Sequence, residues 1–267
     1  MDPLAPLLQS LAAEGRLRVW SLVISFFGDA VQPRGGRVAA ARLQRLMERL
    51  GVEGGALRTA LSRLAADGWL ERDREGRNSF YRLSKGGVAE FAPASGRIYA
   101  PPRHENPGAW VLGLSPEPPE GALDLGGGAW LCADADRQPA DGGITVSGQL
   151  MASADTLAAR LLSDPHRAAL ERLGADIEAL SAMPQDPLSA MAARVLLIHR
   201  WRRIVLRFPE IPQGLLPEGL DDARGRVAAV YARLLPPSEA WCDAEDPGFP
   251  AMPPPLPAMA RRFRGPE

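Results

Sequence analysis

Between residues 16 and 83 the spacing of apolar side chains changes period, and that change limits the fold more than any other feature of the chain. Three stretches repeat apolar residues at three- and four-residue steps, the signature of one buried helix face. Val19, Leu22, Val23, Phe26 and Phe27 mark the first, over Arg16–Ala30, which Pro33 and Gly35-Gly36 close. Leu43, Leu46, Met47 and Leu50 mark the second, over Val38–Leu50, with Arg42, Arg45 and Arg49 off the stripe and Gly51 at the usual stop position. Leu57, Leu61 and Leu64 mark the third, over Gly55–Asp67, ended by Gly68. Trp69–Arg74 and Asn78–Leu83 then read as two short strands around Glu75-Gly76-Arg77, a loop length that suits a hairpin. Three helices and a basic hairpin within ~70 residues follow the order of a winged helix-turn-helix.

Charge points the same way once it is divided along the chain. The 31 basic and 32 acidic residues net −1, but residues 16–85 hold 14 basic against 7 acidic, +7, and the rest 17 against 25, −8. A basic module on an acidic body is an arrangement suited to a polyanion. The third helix leaves Arg58, Thr59, Ser62 and Arg63 off its apolar face, free to reach base edges and phosphates in a major groove. The hairpin adds Arg74, Arg77 and Arg82, placed to grip phosphate or a narrow minor groove. Double-stranded DNA is therefore the expected partner; a winged helix used only for protein contacts is the alternative. Lys85 is the sole lysine, so nearly every basic group is a two-pronged guanidinium.

Other classes fit less well. Cys132 and Cys242 are far apart and form no metal or redox pair, which suits a reducing compartment. No apolar run approaches the ~20 residues of a membrane span. Arg16 and Arg18 before Val19–Phe27 resemble a signal peptide only faintly, because Glu14 precedes the run and Gly28-Asp29 follows it, so a cytoplasmic protein is expected. No nucleophile elbow, phosphate loop or HExxH motif occurs, and only His104, His166 and His199 are histidine, so neither an enzyme nor a bound metal or cofactor is expected. Asp134 and Asp136 leave one enzymatic alternative open, a metal-dependent nuclease.

Beyond the hairpin, Pro93–Arg103 reads as a linker. Trp110–Leu114, Ala129–Ala133 and Ile144–Leu150 read as strands, with Ser115–Gly128 too rich in Pro and Gly for a helix. Asp155–Leu162, Pro165–Ala182, Leu188–Arg207 and Asp222–Leu235 read as helices. From Asp243 the prolines mark an extended or disordered tail, with Arg261, Arg262 and Arg264 near its end as weak phosphate contacts at most.

Phe27-Gly28-Asp29, Pro33-Arg34-Gly35-Gly36, Leu57 to Leu64, Asp67-Gly68-Trp69-Leu70, Gly76-Arg77 and Tyr81-Arg82-Leu83 together resemble the N-terminal part of the PaaX family, repressors of phenylacetate-degradation operons. Ile198-His199-Arg200-Trp201-Arg202-Arg203-Ile204-Val205-Leu206, then Pro209, Pro212 and Leu215-Leu216-Pro217, resemble its C-terminal signature. The resemblance implies an α+β protein with an N-terminal winged helix-turn-helix (1–92), a small ferredoxin-like middle domain, here abbreviated (93–150), a helical C-terminal domain (151–242) and a Pro-rich tail (243–267). It implies a homodimeric repressor that binds a palindromic operator and is released by an aryl-CoA thioester, typically phenylacetyl-CoA. His199, Arg200, Arg202 and Arg203 would then be candidates to hold coenzyme A phosphates, with Trp201 either in the core or against the aryl group.

Overall fold

The computed structural model describes residues 2, 4–15, 18–102, 110–119, 122–132, 143–149, 151, 161–182, 186–209, 211, 215–217, 219–246 and 248–264. It is a mixed α+β chain. Helix α1 (Ala5–Ala13) precedes α2 (Val19–Phe26), which continues through a π turn (Phe27–Val31) and a 3-10 turn (Gln32–Arg34). Strand β1 (Arg37–Ala39), α3 (Ala40–Arg49), α4 (Gly54–Ala66), β2 (Leu70–Glu75) and β3 (Asn78–Leu83) follow. The strands form an antiparallel sheet in the order β1-β3-β2.

The second predicted helix thus starts two residues late. Gly35 and Gly36 both take left-handed φ, which releases the chain into an extended course. Val38, 1% exposed, then pairs with Tyr81, and helix begins only at Ala40. The first predicted helix is regular only from Val19 to Phe26, and Arg16 lies outside the described residues. The apolar stripes hold: Leu22, Val23, Phe26, Phe27, Leu43, Leu46, Met47, Leu57, Leu61 and Leu64 all enter one core.

Helix α5 (Lys85–Ile98) replaces the first half of the predicted linker. The Ser84 hydroxyl caps it by accepting from the Gly87 amide at 2.9 Å. Pro93 lies inside the helix; buried Ile98 and Tyr99, and an Arg97 hydrogen bond to the Val205 carbonyl, hold the far turn against the body. Packing here overrides proline's helix-breaking tendency. Next comes an antiparallel four-stranded sheet, order β5-β6-β4-β7, of β4 (Trp110–Leu114), β5 (Leu123–Gly126), β6 (Ala129–Cys132) and β7 (Ile144–Gly148). Strand β5 was not expected and lies in the stretch read as poor helix material. Trp130 covers Gly113, where a Cβ would come within 2.1 Å of the indole. Asp134 and Asp136, and most of the predicted helix Asp155–Leu162, lie outside the described residues.

Helices α6 (Asp164–Ala179), α7 (Pro187–Arg207) and α8 (Ala223–Asp243) complete the body. The Asp186 and Asp222 carboxylates cap α7 and α8 by accepting from the amides of Ser189 and Gly225. Residues 189–201 of α7 are buried without a break, because α2, α3, α5, α6 and α8 surround the helix. Helix α8 runs on through Pro236 and Pro237, past its expected end, with Ser238, Trp241 and Cys242 buried beyond them. The tail, expected to be extended or disordered from Asp243, leaves the helix only after Asp243, closes a 3-10 turn over Pro257–Arg261 and is packed: Phe249, Met252, Met259 and Phe263 are buried. Arg262 does not face solvent; it donates to the Asp29 carboxylate at 2.8 Å. No helix among the described residues is long and apolar enough to cross a membrane.

Candidate functional site

Two arginine-rich surfaces emerge. The first is α4 with the hairpin. Arg58, Thr59, Ser62 and Arg63 all lie on the exposed face of α4, opposite buried Leu57, Leu61 and Leu64. Thr59 donates its hydroxyl to the Gly55 carbonyl at 3.1 Å, and Arg63 faces Asp67 one turn on at 3.6 Å, a solvent-screened pair of little strength.

The strand register separates the hairpin arginines. Arg82 sits opposite Glu71, pairs with it at 2.8 Å and lies 3.6 Å from Asp73. Arg37 is on the same face and pairs with Glu75 at 2.7 Å. Arg74 is on the other face, together with Arg72, which sequence reasoning did not single out and which bonds the Ser79 hydroxyl at 2.8 Å. The base of that second face, Leu70 and Leu83, joins the core that also holds α4. Arg77 is exposed at the turn, where Gly76 takes φ 58°. Among the described residues Arg58, Arg74 and Arg77 have no carboxylate partner, whereas Arg82 has two.

The second surface is a cleft of about 690 Å³ between α1, the start of α2, α6 and the end of α7. Among the described residues its lining carries Arg18, Arg172, Arg200, Arg202, Arg203 and Arg207 against the single carboxylate of Glu14. Arg200 is already committed, to Asp176, Glu14 and the Ser10 hydroxyl. Burial alone would raise the Glu14 pKa, but Arg200 and Arg203 outweigh it and hold the carboxyl below its ordinary value. Arg202 donates to the Ser21 hydroxyl at 2.7 Å, and its Nε is buried without a partner among the described residues. Burial pushes the His199 pKa down to about 3, with Arg202, Arg203 and Arg200 adding to the effect. Its Nδ1 lies 3.1 Å from the Ser25 hydroxyl, so His199 sits in the α2–α7 interface as a neutral ring.

Trp201 turns away from the cleft. It donates from Nε1 to the Ile98 carbonyl at 2.9 Å and lines a smaller pocket, about 90 Å³, that Leu170, Ile204, Phe208, Ile211 and Leu220 share with Arg97, His166, Asp221 and Arg224. Ile204 and Phe208 line both spaces. The predicted set is therefore divided: Arg202 and Arg203 face the cleft, Arg200 ties its wall together, His199 lines it from the buried α2–α7 interface, and Trp201 packs inside. Arg207, missed in the sequence, is one turn beyond Arg203 on the same helix and was legible from that spacing. Arg18 and Arg172 come from other elements, and only the tertiary fold places them here. Among the described residues no group of three or more His, Cys, Asp or Glu side chains is placed to hold a metal.

Comparison with known proteins accounts for both halves. Residues 18–87 match the family described as PaaX-like protein, and residues 160–244 match the PaaX-like protein C-terminal domain. The transcriptional repressor PaaX of Escherichia coli (strain K12) is 32% identical over 267 aligned residues, covering 83% of this chain and 82% of that protein. The first matched block contains α2 through the hairpin, and the second contains α6, α7 and α8, so the chain belongs to the PaaX family.

Proposed function

We propose that this protein is a DNA-binding transcriptional repressor rather than an enzyme, with residues 1–92 as a winged helix-turn-helix, α4 as its reading helix and the β2–β3 hairpin as its wing. The observation that carries the reading is the order α2-β1-α3-α4-β2-β3 with Arg58, Thr59, Ser62 and Arg63 as the polar side chains on the exposed face of α4. A helix in the major groove reads base edges with residues its own core does not use, and arginine takes the guanine O6/N7 edge with two hydrogen bonds. Arg74 and Arg77, joined by Arg72, grip phosphate; Arg82, held by two carboxylates, contributes less. A homodimer presents two such helices about one DNA turn, ~34 Å, apart, which fits a palindromic operator.

The arginine cleft supports the second half of the reading, release by an aryl-CoA thioester such as phenylacetyl-CoA. With Arg200 held by Asp176 and Glu14, Arg18, Arg202 and Arg207, together with Arg172 and Arg203 that share Glu14, suit a ligand with several phosphates. The apolar side of the smaller pocket, Leu170, Trp201, Ile204 and Phe208, suits an aryl group at the other end. An effector that prefers one arrangement of the helix-turn-helix against the body shifts operator affinity by its difference in affinity for the two arrangements.

Fluorescence anisotropy on a duplex from upstream of the protein's own gene tests both halves. Salt-sensitive binding, lost on adding phenylacetyl-CoA but not phenylacetate or free coenzyme A, is the expected result. Salt-insensitive or absent duplex binding overturns the DNA reading. Binding that the thioester leaves unchanged overturns the effector reading.

A further inference from the structure

The packed tail makes a continuous series of contacts that a spacer has no reason to make. Leaving α8, the chain crosses α3, where buried Arg42 donates to three of its carbonyls, those of Trp241, Ala244 and Pro250, and lies over the Trp241 and Phe249 rings. Arg34 then donates to the Pro253 carbonyl at 2.9 Å, and the Leu256 amide donates to the Pro33 carbonyl at 2.6 Å. The course ends at the π turn after α2. There Arg262 donates to the Asp29 carboxylate and to the carbonyls of Asp29 and Gly28, and the Phe263 amide donates to the Tyr99 carbonyl at 2.9 Å. A proline-rich segment offers many carbonyls and few amides, so arginines supply the missing donors.

Asp29, 0% exposed, also binds Arg194 of α7 at 2.6 Å and accepts from the hydroxyls of Tyr99 and Tyr231. One and two turns earlier, α2 presents Ser25 to His199 and Ser21 to Arg202, both among the α7 residues that line the arginine cleft. A single helix therefore touches the cleft along its length and the tail at its end.

We propose that residues 244–246 and 248–264 form a strap that couples the arginine cleft to the helix-turn-helix: seated on Arg34, Arg42 and Asp29, it holds α3 and α4 in one fixed position against α7 and α8, and unseating it at Arg262 lets them move independently. The coupling rests on the reading of α4 as the DNA-reading helix; the strap as one cooperative unit does not. Breaking one anchor loosens the others if they act together.

Two variants of the full-length protein test this by hydrogen exchange and duplex binding. R262Q removes the plug at Asp29. L256P removes one amide donor at a half-exposed residue whose φ of −69° already suits proline. In R262Q the distant Met252 and Leu256 amides, bonded to the Cys242 and Pro33 carbonyls, exchange on the order of tenfold faster. In L256P the Phe263 and Met252 amides do the same. Acceleration confined to the residues beside each substitution overturns the cooperative strap. In both variants duplex binding persists, and its loss on adding phenylacetyl-CoA is weakened. Full retention of that loss overturns the coupling. A wild type that the thioester does not release condemns the effector reading instead, while the exchange data still decide the strap.

Discussion

Arginine plays opposite parts on α4 and around Asp29. On α4 the guanidiniums of Arg58 and Arg63 are exposed, with only the weak Arg63–Asp67 contact among the described residues. Around Asp29, Arg194 is fully buried, and burial works against its charge until the facing carboxylate outweighs it and raises its pKa well above the ordinary value. Arg34 and Arg194 share Glu239 there, so the tail-facing turn and the body are tied through one carboxylate. The same formal charge is thus available to a partner in one region and consumed by the fold in the other. A net +7 over residues 16–85 counts both kinds: Arg34 and Arg42 are as buried as any core side chain. Charge totals locate a basic segment; only partners and exposure say which guanidiniums remain free.

The contrast breaks most visibly at its buried end. Arg194→Met leaves Asp29 short of its main partner, and Asp29→Asn takes the carboxylate from Arg262 and leaves Arg194 with Glu239; each is expected to cost about 3–5 kcal/mol in denaturant unfolding. A cost within error of zero would mean the network contributes nothing to stability. Arg58→Ala and Arg63→Ala leave the melting temperature nearly unchanged and weaken operator binding by about 1–3 kcal/mol each. Arg82→Ala, whose charge Glu71 and Asp73 already hold, weakens it less than Arg74→Ala; the reverse order places the wing's other face on DNA.

Acid sharpens the comparison further. His199 has a folded pKa of about 3, below its unfolded value, so the unfolded chain binds the extra proton. Its contribution to stability is complete above about pH 6.5 and is lost as pH falls from there towards 3, with a slope of at most about 1.4 kcal/mol per pH unit. His199→Asn flattens that part of the stability curve, and an unchanged curve would show that His199 is not the buried neutral ring described. The smallest effect belongs to the turn. Arg77→Ala reduces the slope of log affinity against log salt by about one unit, the share of a single phosphate contact.

Much of the N-terminal half was legible because its elements are local. The stripes Leu43–Leu50 and Leu57–Leu64, the stops at Gly51 and Gly68 and the turn at Gly76 each rest on a few neighbouring residues. What escaped depends on distant partners. β1 exists because Val38 meets Tyr81, α5 keeps Pro93 because Ile98 and Arg97 are fastened to the body, and the tail is packed because Arg34, Arg42 and Asp29 receive it. The exposed residues of α4 could be read from the helix repeat alone. The split of the hairpin arginines between two faces needed the strand register, and the cleft needed four separate elements brought together.

The central claim is that the exposed arginines of α4 read DNA. Anisotropy titrations on an upstream duplex, at several salt concentrations, with wild type and the R58A/R63A double variant, test it most directly. The account predicts that wild-type affinity falls linearly with salt on logarithmic axes, and that the double variant loses about 2 kcal/mol or more with its thermal unfolding unchanged. A double variant that folds normally and binds with wild-type affinity and slope would contradict it.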